Sequence, residues 1–260
     1  MIKNSRNFKK ILRSSFLLLV SSYFFINNNK PIEAQNNQEA EIRALISNIS
    51  LASSQENLME IKNYLSPEFS SEDGLNNESY LQILESFWQQ YDNLKYTTVI
   101  NNIKTQGNQV IAEITTNIEG INNNNGQPLN LKTEISARQI FENNQLRQEE
   151  IIREKNQITT GANPPEIMLR LPTQARLGET FDFDAIIPAP LAGGLLIGGV
   201  KEEKITPDLK LNPESIELEA LSTGGIFKRV TMDEGNHWYS AIFIRADGMT
   251  LITQRVRQES

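Results

Sequence analysis

The sequence contains no cysteine. That absence excludes a disulfide framework, a thiol nucleophile, an iron–sulfur cluster, a cysteine-based zinc site and lipid attachment through a lipobox cysteine. It leaves an oxidising compartment open, because a chain of 260 residues can bury a sizeable apolar core without a disulfide staple. Histidine is nearly as scarce. His237 is the only one, so no multi-histidine metal centre is available, and no G-x-S-x-G element sets a serine beside it. Within Gly235-Asn236-His237-Trp238-Tyr239 it reads as a strand entrance or a surface aromatic contact. His237, Trp238 and Tyr239 are the candidate protein-binding patch, with a place in a β-sheet core as the alternative.

Positive charge is also short. Residues 1–34 carry six of the 25 basic residues and one of the 32 acidic ones, so removing them leaves 19 against 31, a net charge of −12. Nucleic acid is an unsuitable partner for such a surface, and an anionic membrane is disfavoured for the same reason. The removal itself is expected. Lys3, Arg6, Lys9, Lys10 and Arg13 form a basic head, followed by apolar Phe16–Val20 and Tyr23–Ile26. This core is too short and interrupted to span a membrane comfortably. Small Ala34 suits a cleavage position and Gln35 a mature N-terminus; an uncleaved anchor is the alternative. No later segment reaches transmembrane length, so the expected location is periplasmic or otherwise extracytoplasmic, in a bacterium.

What is present is mostly sheet. Val110, Ala112, Ile114, Thr116 and Ile118 alternate with Gln109, Glu113, Thr115 and Asn117, the period of a strand buried on one face. Lys95–Ile100, Leu129–Phe141 and Leu146–Lys155 extend the pattern into a long, curved antiparallel sheet that needs a cover. Upstream, Ile42, Leu45, Ile46 and Ile49 recur at helical spacing. Ser53 with Glu56 and Ser79 with Gln82 predict capping boxes for two further helices. The last carries Leu81, Leu84, Phe87, Trp88 and Tyr91 as a broad apolar face.

This order, together with Tyr80-Leu81-Gln82-Ile83-Leu84-Glu85-Ser86-Phe87-Trp88, resembles the nuclear transport factor two-like superfamily over residues 38–159. The resemblance implies helices folded over a curved sheet to make a cone with a pocket, for which Trp88, Tyr91, Ile114 and Ile135 are the candidate lining. It selects no function, since the superfamily includes isomerases, dehydratases and noncatalytic binding domains. Its enzymes commonly place an aspartate, histidine or tyrosine in the cone. Here Tyr96 opens a strand, and Glu113 and Glu134 alternate opposite apolar residues, which places them in solvent. No catalytic residue, cofactor or metal ligand is assigned.

Thr159–Pro165 is small, polar and proline-rich, the character of a boundary. The expected organisation is a signal over 1–34, an α+β domain over 35–159, a linker over 160–165 and a small all-β sandwich over 166–260, with halves that fold separately. Ile167–Leu171, Thr180–Ile187, Leu195–Val200, Ile216–Leu221, Gly225–Thr231, Trp238–Arg245 and Met249–Arg257 are the expected strands. Pro172–Phe181 resembles the opening of bacterial immunoglobulin-like modules, without a Cys-Trp-Cys core. Gly193–Gly199 lacks the order of a phosphate-binding loop and reads as turns around a strand. Asp182 and Asp184 share a face, with Asp208 and Asp233 distant, and read as solvated instead of calcium-binding. Arg255 and Arg257 share a face with Thr253 and do not make a nucleic-acid site.

The leading functional expectation is an exported, noncatalytic protein that binds another envelope protein. A small apolar-ligand binder is the alternative, then an isomerase- or hydrolase-like enzyme; a homodimer is compatible with each. The expectation open to direct measurement is cleavage between Ala34 and Gln35. N-terminal sequencing or intact mass of the exported chain should show loss of residues 1–34, and a mature species retaining Met1–Ala34 would overturn it.

Overall fold

In the computed structural model, residues 32–123, 126–188, 195–208, 215–222 and 224–259 are described. Most of the expected export segment, and Gly193 and Gly194, lie outside them. The chain is α+β, with few helices and a large sheet that is antiparallel along its main path.

Helix α1 (Ile32–Ser54) presents Ile42, Leu45, Ile46 and Ala52 to the core, the i, i+3, i+4 stripe expected of a helix lying on a sheet. Its polar side also has a partner. Ser50 and Ser54 hydroxyls donate to the Tyr96 carbonyl at 3.1 and 3.4 Å, and Ser54 Oγ accepts from the Tyr96 amide at 2.9 Å. The expected cap at Ser53 is corrected. Ser53 is buried inside α1, and Asn57 caps α2 (Leu58–Tyr64) by accepting from the Glu60 amide at 3.2 Å. After strand β1 (Leu65–Ser71), helix α3 (Asn77–Trp88) starts at Asn76. Asn76 Oδ1 accepts from the Ser79 amide and Ser79 Oγ from the Asn76 amide, at 2.9 and 3.0 Å. Ser79 is therefore the reciprocal member of the capping box and not its first residue.

Strands β2 (Asp92–Gln106), β3 (Gln109–Asn122), β4 (Leu129–Glu142) and β5 (Gln145–Gly161) form an antiparallel meander. The β2–β3 register shifts between Ile100 and Asn102, and the β4–β5 register shifts after Ser136 and after Ile140. Such bulges bend a strand and increase its twist, which curves the sheet around the helices.

The C-terminal half contains β6 (Met168–Arg170), β7 (Gln174–Arg176), β8 (Thr180–Ile186), β9 (Leu196–Lys204), β10 (Glu219–Leu221), β11 (Gly225–Thr231), β12 (His237–Arg245) and β13 (Gly248–Glu259). It is not a separately closed sandwich. β13 pairs with the second part of β5, from Gly248 opposite Gly161 to Gln254 opposite Lys155. One sheet therefore runs β10-β9-β12-β13-β5-β4-β3-β2. Residues 160 and 161, expected in a linker, belong to β5. The crossing is tight: Gly161 has φ +92°, and a Cβ there would sit 2.5 Å from the Gly248 Cα. Only glycine fits both requirements.

The smaller sheet β11-β8-β6 closes a second core against β12 and β13. Phe183 and Ala185 from β8 meet Tyr239, Ala241 and Phe243 from β12 and Ile252 and Val256 from β13, with Phe183 and Tyr239 rings edge to face at 5.4 Å. The opposite faces of β12 and β13 carry Trp238, Ser240, Leu251 and Thr253 toward the N-terminal half. Strict alternation lets one strand pair serve two interiors.

The seam is fastened by charge. Arg255 on β13, fully buried, donates to both oxygens of Asp73 at 2.8 Å and to Glu154 Oε2 at 3.0 and 3.1 Å. Asp73 lies in the turn between β1 and α3, and Glu154 lies on β5. Two residues on, Arg257 pairs with Glu150 and Glu72. Burial alone would lower the Arg255 pKa, but hydrogen bonding to Asp73 and the charge of Glu154 reverse this and hold it above its ordinary value. Removing one partner leaves buried charges without compensation, so Arg255→Ala should destabilise the chain by about 3–5 kcal/mol. Urea unfolding checks this; a loss within about 0.5 kcal/mol, the range of ordinary surface changes, would show that the seam does not depend on it.

Candidate functional site

Between α1, α3, the curved face of β3–β5 and the inner face of β12 and β13 lies a cavity of about 480 Å³. Its walls are mainly apolar, with Ile46 from α1, Leu84 and Phe87 from α3, Ile114 from β3, and Ile151 and Ile158 from β5. Trp238, Ser240, Leu251 and Thr253 close it from the C-terminal half.

Of the expected pocket residues, Tyr91, Ile114 and Ile135 line this cavity. Trp88 stands behind the wall, 7 % exposed, and its indole Nε1 donates to the Tyr96 hydroxyl at 2.9 Å. Tyr96 itself lines the cavity. Glu134 is exposed and Glu113 is nearly half exposed, as their alternation required.

The expected surface patch is corrected. His237 is 4 % and Tyr239 0 % exposed, because both occupy the face of β12 that packs into the second core. His237 Nδ1 lies 3.1 Å from the Gly235 carbonyl oxygen, and the Tyr239 hydroxyl donates to Glu202 at 2.7 Å. Trp238 points the other way and donates from Nε1 to Glu154 Oε2 at 3.0 Å. The three residues form no common surface.

The polar side chains that do reach the cavity were not singled out from the sequence. Asp73, Gln139, Glu149 and Glu154 are among its lining. Gln139 and Glu149 face each other across β4 and β5, and Gln139 Nε2 donates to Glu149 Oε1 at 2.9 Å, with both residues buried. The sequence hides them because β5 carries an extra residue at two places, where consecutive β4 residues pair with β5 residues 146 and 148 and with 151 and 153. Its inward side chains therefore run Glu149, Ile151, Glu154, Asn156 and Ile158, which breaks any single period-two reading. The clue within the sequence is the run Gln148-Glu149-Glu150 between apolar Leu146 and Ile151, too acidic for every member to be accounted for by alternation.

Elsewhere the cavity wall is held by hydroxyls. Thr98 Oγ1 lies 2.9 Å from Thr116 Oγ1 and donates to Ser50 Oγ at 3.3 Å. Among the described residues, no cluster of three or more histidine, cysteine, aspartate or glutamate side chains is placed to hold a metal, and no helix is long and apolar enough to cross a membrane.

Three phenols at the cavity are raised in pKa, Tyr91 by burial alone. Burial pushes Tyr80 well above the ordinary 10.0, with the charges of Glu149 and Tyr96 adding to it. Burial likewise raises Tyr96, against the opposing hydrogen bond from Trp88 and with the Glu56 charge. The folded chain thus keeps protons that the unfolded chain releases near pH 10.0. Their stabilising effect is complete below that pH and is lost as pH rises beyond it toward the folded values. An alkaline titration should show phenolate absorbance from these tyrosines rising together with loss of the circular-dichroism signal. Full phenolate formation near pH 10 in a chain still folded would contradict the burial argument.

Residues 162–259 match a family described as "Domain of unknown function (DUF8623)". No curated protein matches the chain. Among solved structures, the chain is similar to an LEH-like epoxide hydrolase of M. tuberculosis, at 13 % identity over 44 % of this chain and 83 % of that one, with a TM-score of 0.33. It is similar to a putative scytalone dehydratase from Novosphingobium aromaticivorans at 10 % identity, over 46 % and 87 % of the two chains, with a TM-score of 0.38. A protein described as "Rd1NTF2_04 with long sheet" is similar at 12 % identity, over 42 % and 97 %, with a TM-score of 0.28.

Proposed function

We propose that this chain is an exported, noncatalytic binding protein that holds a small, largely apolar molecule in the cavity between its two halves. The observation that carries the reading is the cavity itself: about 480 Å³, within the size range of small-molecule sites, apolar for the most part, with a few convergent polar groups. Binding of an envelope protein through His237–Tyr239 loses its surface once His237 and Tyr239 are buried, so the small-ligand reading takes precedence. Isomerase- or hydrolase-like chemistry is the second reading. It is favoured by one feature, the buried carboxylate of Glu149 at the cavity wall, the kind of group that serves as a general base.

The test is titration of the mature chain with Nile red, a neutral apolar fluorophore. One saturable, blue-shifted site is expected. Ile135→Trp, which adds bulk to the cavity wall, should weaken it at least about tenfold, or ~1.4 kcal/mol, with circular dichroism unchanged. Non-saturating fluorescence, or equal affinity in a folded Ile135→Trp variant, would overturn the reading.

A further inference from the structure

Resting on the binding reading above, we infer that Gln139 sets the specificity of the cavity: its side-chain oxygen accepts a hydrogen bond from the hydroxyl of a neutral, otherwise apolar ligand whose body lies over Ile114, Ala137 and Ile151. Gln139 is 5 % exposed and forms part of the cavity wall. Its Nε2 donates to Glu149 Oε1 at 2.9 Å. That bond fixes the amide orientation: a carboxylate only accepts, so the nitrogen faces it and the oxygen faces away. Gln139 Oε1 is buried and has no hydrogen-bond partner among the described residues. Such a carbonyl oxygen is uncommon in a folded protein, and it marks a place for a water or a ligand atom.

The sheet register surrounds this acceptor with apolar side chains. Gln139 pairs with Ala112 on β3 and with Glu149 on β5. One step along the same face of β4, Ala137 pairs with Ile114 and Ile151, and all three line the cavity. A ligand whose polar group reaches Gln139 therefore lays its next atoms on an apolar row. The amide oxygen is neutral and only accepts, so it satisfies an O–H and offers nothing to an ether, ketone or carboxylate oxygen. An ionic head would give up far more hydration than one neutral acceptor returns. The carboxylates of the wall are already engaged, Asp73 and Glu154 with Arg255, Glu203 with Lys201 and Glu149 with Gln139. A ligand hydroxyl can take the place of a water on such an oxygen and reproduce its hydrogen bond. An ether cannot, and it leaves the buried acceptor unpaired, which is how polar sites reject an analogue that lacks the donor.

Isothermal titration calorimetry of the mature chain compares two isomers, decanol and methyl nonyl ether, which share size and composition and differ in the donor. Decanol should bind at least about tenfold tighter. Gln139→Met replaces the amide with a thioether of similar length that is only a weak acceptor, and should shrink this ratio at least about fivefold. Both isomers fill the same space, so a change of cavity shape alone moves the two affinities together and leaves the ratio as it was. Ether binding as tightly as decanol, decanol failing to bind where Nile red binds, or a ratio unchanged in folded Gln139→Met overturns the subsite and leaves the cavity reading standing. Failure of decanol, ether and Nile red together overturns both. The wild-type ratio decides the matter even where the variant does not fold.

Discussion

Arg255 is a guanidinium without solvent, held between a carboxylate from the β1–α3 turn and one from β5. The bidentate approach to Asp73, with Nε and a second nitrogen turned to Glu154, satisfies the fork geometry that distinguishes arginine from lysine. Desolvating such a group is costly, and a buried ion pair frequently adds little net stability relative to a well-packed apolar replacement. Its effect is on arrangement. A one-residue slip of β13 along β5 would turn Arg255 into the second core and place Val256 against Asp73 and Glu154, so the charges penalise that slip.

That register determines the cavity. With Gly248 opposite Gly161 and Gln254 opposite Lys155, Leu251, Thr253 and their β12 neighbours Ser240 and Trp238 come to the face that looks toward α3 and β5. The N-terminal helices and meander supply most of the wall; the C-terminal half supplies its remaining side. Glu154 belongs to both arrangements, since it binds Arg255 and Trp238 at the seam and also borders the cavity. A change in the cavity near Glu154 is thereby connected to the seam through one carboxylate.

The two cores divide their work by strand faces. Tyr239 and Val256 are completely buried on one side of the β12–β13 pair, while Trp238 and Thr253 reach the cavity on the other. This explains why an aromatic run such as His237-Trp238-Tyr239 is not one patch. Adjacent residues of a strand face opposite ways, and both faces here are covered. With a single histidine and no cysteine, the polar groups lining the cavity are carboxylates, amides, hydroxyls and the Trp238 indole.

Local patterns in the sequence determined a good part of this. The stripe of Ile42, Leu45 and Ile46, the aromatic face of α3 ending in Phe87 and Trp88, and the alternation from Val110 to Ile118 each follow from backbone geometry over a few residues, so helices, meander and an α+β class were legible; Tyr91, expected on the same helix, lies beyond its end. The exposed positions of Glu113 and Glu134 followed from the same period. What only the tertiary structure decided depends on contacts far apart in sequence or on a break in the period. Arg255 meets Glu154 across 101 residues and Asp73 across 182, distances over which no periodicity carries information. The extra residues in β5 switch its inward set, so Glu149 and Glu154 enter the interior where regular alternation along the whole strand cannot place both with Ile151. The halves looked separable because each has its own apolar pattern, but an unpaired strand edge leaves no mark in a sequence. Hydrogen bonding between β5 and β13 is made by backbone groups that every residue type except proline carries, and it is this that made one sheet of two halves.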